Sequence, residues 1–151
     1  TPCILKGRGE KLDEVPKSFT NSLNKWKIVL FKPSAEVSTK WAYAQIAKKG
    51  DYSHPSHAEN ELNHLLQSSG EYPPTGSNDF ESAVFSKFLA LKHLVPSLRE
   101  QGYVVNLSGS GSACFVIVPK EHDTSKINKQ LIDTVGDYGL IGEFSFLQPH
   151  R

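Results

Sequence analysis

The run Trp26-Lys27-Ile28-Val29-Leu30-Phe31, apolar at all but one position, is rich in β-branched and aromatic residues and is closed by Lys32-Pro33. This predicts a strand that stops at its proline, since proline has no N–H for the ladder. Being apolar at nearly every position, it is expected at the centre of a sheet. Two shorter runs, Tyr103-Val104-Val105-Asn106-Leu107 and Cys114-Phe115-Val116-Ile117-Val118, bracket a glycine-serine turn and predict a β-hairpin. Glu143-Phe144-Ser145-Phe146-Leu147 alternates and predicts a last strand.

Between these runs the apolar period lengthens to that of helices. Ser38-Thr39 is placed to cap a helix through Trp41 and Ala47 that ends at Gly50, with Lys48-Lys49 complementing its C-terminal dipole. Pro55 opens a second helix, with Ser56 and Glu59 as a capping box ahead of Leu62, Leu65 and Leu66. Pro73, Pro74 and Gly76 then predict a surface loop from 68 to 77. Asn78-Asp79-Phe80-Glu81 repeats the capping pattern before a helix whose apolar positions Phe80, Val84, Phe85, Phe88, Leu91 and Val95 recur at three and four. Pro96 either kinks that helix or starts a new one through Leu98 to Gly102. Asp123-Thr124 caps a helix bearing Ile127, Leu131, Ile132 and Val135 that runs to about Gly139.

The order is strand, helices, strand, strand, helix, strand. It predicts an α+β fold, a ferredoxin-like split β-α-β sandwich whose antiparallel sheet carries helices on one face. Residues 1–24 are polar, turn at Gly7-Arg8-Gly9, and show no core of their own; the domain is expected to span 25–151. Such a fold hosts many functions and decides none.

Composition narrows the classes. The 151 residues suit one domain, and a formal net charge of +1 provides no long-range field for nucleic acid or an anionic membrane. No apolar run approaches the roughly 20 residues of a membrane span, and no signal-peptide pattern is present, so a soluble, cytoplasmic chain is expected. Cys3 and Cys114 have neither redox nor zinc spacing and predict two buried or half-buried thiols without a disulfide. The absence of methionine reads either as an internal piece of a longer protein or as an initiator trimmed before threonine.

Candidate chemistry centres on Ser108-Gly109-Ser110-Gly111-Ser112. Alternating glycines let successive N–H groups converge on an anion such as phosphate, but the lysine of a P-loop is missing, and a plain hairpin turn reads the same. His57, Glu61 and His64 share a helical face, yet two turns separate the histidines, which favours a solvated face over a zinc site. No metal site is expected.

Arg8-Gly9-Glu10, Lys32-Pro33 with Val37-Ser38-Thr39, Asn78-Asp79-Phe80-Glu81, and Ser108-Gly109-Ser110-Gly111 before Phe115 occur in an order and spacing that resemble the 4-diphosphocytidyl-2-C-methyl-D-erythritol kinases of the GHMP kinase superfamily. The resemblance covers essentially all of the chain but only the carboxy-terminal half of such a kinase. Residues 1–24 would then be the tail of the amino-terminal kinase domain and a linker. It implies transfer of the γ-phosphoryl group of ATP, with Mg²⁺, to the 2-hydroxyl of the cytidylyl-methylerythritol substrate in non-mevalonate isoprenoid biosynthesis. The ATP loop, catalytic aspartate and lysine of the family have no match here, so no catalytic residue is expected in this chain and the chain alone is expected to be inactive. Its partners would be the small-molecule substrate and its own amino-terminal half. By the same resemblance, Thr39 and Tyr43 line the cytidine pocket, while Thr39 as a cap and Tyr43 as a packing ring remain the plain alternatives. Gly109, Ser110 and Gly111 resemble the third GHMP motif and either touch phosphate or support the ATP loop. Helix capping alone would explain Asn78 and Glu81. Another GHMP kinase, of homoserine or the mevalonate pathway, and a non-catalytic effector-binding module stand as alternatives.

Overall fold

The computed structural model describes residues 3–7, 9–50, 52–68, 71–136 and 139–146. Arg8 of the first motif, Leu147 of the last predicted strand and the terminal His150-Arg151 lie outside them. Six strands and six helices follow one another as β1 (Cys3–Lys6), β2 (Lys11–Glu14), α1 (Lys17–Ser22), β3 (Trp26–Lys32), α2 (Thr39–Lys49), α3 (Pro55–Gln67), α4 (Glu81–Lys87), α5 (Leu89–Glu100), β4 (Val104–Leu107), β5 (Cys114–Pro119), α6 (Ser125–Val135) and β6 (Leu140–Ser145).

The main sheet has the order β4-β5-β3-β6, antiparallel throughout, which is the ferredoxin-like arrangement with β3 inside as its apolar run requires. Register puts the core on one face. Val29 lies opposite Val116, Phe31 opposite Cys114, and Val105 and Leu107 meet Val116 and Cys114 from the other side. These residues are buried against Val84 of α4, Leu91, Val95 and Leu98 of α5, and Ile127 and Leu131 of α6. Each such side chain contributes about 1.5–3 kcal/mol on burial, which outweighs any surface ion pair on this domain. Burial pushes the Cys114 thiol up to about 12, so it is an inert core residue, whereas Cys3 is exposed rather than half-buried.

Residues 3–25 are more ordered than their polarity predicts. β1 and β2 form a separate two-stranded hairpin, and α1 with the short 3₁₀ turn Leu23–Lys25 buries Phe19 and Leu23. Two apolar residues in a polar stretch were enough to anchor it, a signal that periodicity over a six-residue helix does not provide.

Local chemistry also redirects several ends. His54, not Ser56, caps α3: its Nδ1 accepts from the Ser56 N–H at 3.3 Å, and Pro55 fills the first helical position. The long helix expected from Phe80 to Val95 breaks at Phe88, whose extended backbone (φ −109°, ψ 92°) separates α4 from α5, and Pro96 sits inside α5. The last helix stops at Gly136, where φ is +74°, and β6 lies three residues earlier than the alternation suggests.

At the far end of the sheet from the glycine-serine turn, Glu143 on β6 ties three elements together. Its carboxylate accepts from the Thr124 hydroxyl, from Asn128 Nδ2 at 3.0 Å and from Lys27 Nζ at 3.2 Å. These bonds, the Thr124 hydroxyl first, hold its carboxyl below the ordinary range. A group with a lowered folded pKa stabilises above its unfolded value and loses that contribution as pH falls through the folded value. Glu143→Gln is therefore expected to flatten the fall in stability below about pH 4.5, as read from urea midpoints across pH 3 to 7. An unchanged acid slope would count against this network.

Candidate functional site

The glycine-serine turn between β4 and β5 is fastened from four directions. Within it, the Ser108 N–H donates to the Ala113 carbonyl at 2.8 Å and the Gly111 N–H to the Ser108 carbonyl at 3.0 Å. The buried Ser112 hydroxyl donates to the Ala35 carbonyl at 2.6 Å, joining the turn to the loop after β3. At the start of α2 the Thr39 and Ser110 hydroxyls lie 3.0 Å apart. From the segment before α4, Asn78 Nδ2 donates to the Leu107 and Gly109 carbonyls, both at 2.9 Å.

The glycines are needed for different reasons. Gly109 (φ +56°) and Gly111 (φ +80°) both take left-handed backbone that side chains resist. A Cβ on Gly109 would meet open space, while one on Gly111 would lie 3.0 Å from Leu107 Cδ1 and 3.2 Å from Val84 Cγ1.

Of the residues singled out from sequence, the structure brings Thr39 into contact with Ser110 and puts Tyr43 one helical turn further along α2. Ser38 caps that helix, accepting from the Trp41 N–H at 3.4 Å, so Thr39 is freed from capping. The Tyr43 ring meets Phe80 edge-on at 4.9 Å and remains 55% exposed.

Asn78 and Glu81 do not form the capping box their spacing suggests. Asn78 Oδ1 accepts from the Phe80 N–H at 2.9 Å, while its amide nitrogen reaches the turn. Glu81 instead takes a bidentate pair from Arg99 at 2.7 and 3.1 Å, and Arg99 also donates to the Val105 carbonyl. Sequence alone gave no sign of the long-range half of either arrangement, because a capping box and a distant partner call for the same residue types.

Beside the turn, a cleft of about 860 Å³ runs between α3, the 71–79 segment and β4, with Glu61, Asn78, Arg99 and Tyr103 in its wall. Glu61 there accepts from the Ser77 hydroxyl at 2.7 Å and its N–H at 3.1 Å, bonds that hold its carboxyl below the ordinary range. His57 approaches Glu61 at 3.4 Å. Among the described residues no cluster of three or more His, Cys, Asp or Glu side chains is arranged to hold a metal ion.

The turn offers hydroxyls and backbone N–H groups, and no basic residue lies between Asn106 and Pro119. That donor set suits neutral hydrogen bonding to phosphate oxygens and not charge neutralisation, and it has no carboxylate for Mg²⁺. At the turn, Gly111→Ala is expected to destabilise by about 2–4 kcal/mol, combining backbone strain with the clash, and Gly109→Ala by about 1–2 kcal/mol from strain alone. Denaturant melts of the two variants check this; equal losses would mean that the close approach to Val84 is immaterial.

Comparison with known proteins identifies the family of the domain. Residues 52–137 match the family model for the C-terminal domain of GHMP kinases. Among sequence relatives, the 4-diphosphocytidyl-2-C-methyl-D-erythritol kinase of Pelodictyon phaeoclathratiforme is 31% identical over 126 residues, covering 83% of this chain and 42% of that protein. The protein of the same name from Bacteroides thetaiotaomicron is 30% identical over 122 residues, covering 80% and 40%. A crystal structure of 4-(cytidine 5'-diphospho)-2C-methyl-D-erythritol kinase superposes with a TM-score of 0.58 at 26% identity, covering 95% of this chain and 50% of that one. Homoserine kinase from Cytophaga hutchinsonii gives 0.65 at 16% identity, covering 95% and 47%, a likeness of fold alone. The chain spans about half the length, or somewhat less, of the proteins it matches. With the family model matching more than half of the chain, the chain belongs to the GHMP kinases and carries their C-terminal domain.

Proposed function

We propose that this chain is the substrate-side half of an ATP-dependent kinase that phosphorylates the 2-hydroxyl of 4-diphosphocytidyl-2-C-methyl-D-erythritol in the non-mevalonate route to isoprenoids. The observation that carries the reading is the 3.0 Å contact between Thr39 and Ser110. These are 71 positions apart in sequence, and the resemblance assigns one to the cytidine side and the other to the phosphate side.

In this reading the exposed Tyr43 face stacks on the pyrimidine, and Thr39 supplies an oriented hydrogen bond one turn before it. Gly109, Ser110 and Gly111 hold the phosphate-binding loop of the amino-terminal half and present neutral donors toward ATP. Mg²⁺-ATP supplies the phosphoryl group and the countercharge when bound, held mainly by residues of that other half. Phosphoryl transfer depends on positioning and charge stabilisation, so one wall of the cleft without the other has no basis for turnover. The names of the sequence relatives favour the cytidylyl substrate over homoserine, whose kinase is similar at the level of fold only.

The test is calorimetric titration of the cytidylyl substrate into this chain, with and without a separately produced amino-terminal half, while ATP turnover is followed. Turnover is expected only when both halves are present. Thr39→Val and Tyr43→Ala in the pair are expected to weaken substrate binding about 5- to 100-fold each. A folded, associated pair that neither binds nor turns over would remove the cytidylyl substrate in favour of another GHMP kinase. Preference for an amino-acid alcohol would do the same.

A further inference from the structure

The segment before α4 is connected to both sides of the proposed site through one side chain. Asn78 makes three hydrogen bonds: its amide nitrogen donates to the Leu107 and Gly109 carbonyls, and its amide oxygen accepts from the Phe80 N–H. Phe80 in turn meets the Tyr43 ring at 4.9 Å with the planes perpendicular. We propose that Asn78 is a positioning residue that fixes the glycine-serine turn and, through Phe80, Tyr43 in one relation, so that the phosphate side and the cytidine side of the site are set together.

This deepens the kinase reading and rests on it for any effect on turnover. The local bond from the Phe80 N–H requires only an acceptor oxygen, which an aspartate or serine also supplies. The two bonds from the nitrogen have no part in a cap. They reach across to a strand end and a turn about thirty positions away, and no other side chain of this size combines two donors with an acceptor. The turn's own backbone bonds close its base and interior, from Ser108 to Ala113 and from Gly111 to Ser108. Its tip is held from outside, Gly109 by Asn78 and Ser110 by Thr39. Losing the Asn78 donors therefore loosens the tip at Gly109 and leaves it held only through Ser110, while the sheet beneath it keeps its pairing.

Asn78→Asp separates the two roles. It keeps the acceptor, and places a negative charge at a helix start where charge is favourable, but turns a carboxylate toward two carbonyl oxygens. In the complete kinase, with both halves present, it is expected to lower kcat/KM for ATP about 10- to 100-fold while the thermal midpoint stays within a few degrees. The facing carbonyls disfavour the charged carboxylate, so protonation restores a donor as pH falls. The ratio of variant to parent activity is thus expected to rise from pH 8 to pH 5.5, a signature that a purely structural role does not produce.

Independently of catalysis, amide exchange read by NMR on this 151-residue chain is expected to speed up about tenfold or more at Gly111 in Asn78→Asp, with Val116 and Val118 unchanged. Asn78→Ser, which keeps an acceptor oxygen without charge, is expected to show the same exchange effect and no pH dependence, and it serves if the aspartate variant fails to fold. Unchanged Gly111 exchange in the folded variants, or a flat activity ratio near one, overturns the positioning role. Faster exchange at Gly111 together with a parent kinase that ignores the cytidylyl substrate overturns the functional reading and leaves the positioning role standing.

Discussion

The turn at 108–113 keeps its place because Gly111 has no side chain. A Cβ there would press on Leu107 and Val84, two buried residues from opposite layers of the domain, so at this turn the sheet and the helix layer meet across a glycine. The close approach carries consequences outward. It brings the segment before α4 near enough for Asn78 to reach the turn, and sets Ser110 beside the first residue of α2. Three segments far apart in sequence therefore share one small region.

The same region explains how the sheet manages its β4 edge. An edge strand presents unpaired backbone groups that invite pairing with other chains. Here the Val105 carbonyl receives Arg99 and the Leu107 carbonyl receives Asn78, two alternate positions on the strand. The guanidinium is itself held by Glu81 in a bidentate pair, which fixes its fork against the strand. Residues whose sequence pattern suggests helix caps thus serve to close the edge of a sheet.

That duality marks the limit of what could be read from the chain. Trp26–Lys32 announced its strand through composition and a terminal proline, and the hairpin around the turn and the capped start of α2 were equally plain, because each depends on neighbours within a few residues. The pairing of Thr39 with Ser110, the Asn78 latch and the Glu81 pair with Arg99 depend on tertiary proximity, and one sequence contains no trace of which polar residue meets which. The break at Phe88 was hidden for a related reason. Its apolar spacing continues the helix, while its extended backbone ends α4 and starts α5. Phe19 and Leu23 show the converse, since two residues can anchor a segment too short to be periodic.

The electrostatic character of the turn constrains any mechanism built on it. Its donors are hydroxyls and backbone amides, and its nearest structural partners are an asparagine and a threonine, all neutral. Such a wall can orient phosphate oxygens but cannot balance the charge of a triphosphate, and orientation has value in catalysis only if it is rigid. A neutral site has to gain its precision from the number and geometry of its bonds. The turn has that geometry, with bonds inside it and others arriving from the loop after β3, from α2 and from Asn78. In the proposed kinase, positive charge and metal would then belong on the opposite wall of the cleft, where they could face the phosphates without having to be desolvated inside this domain.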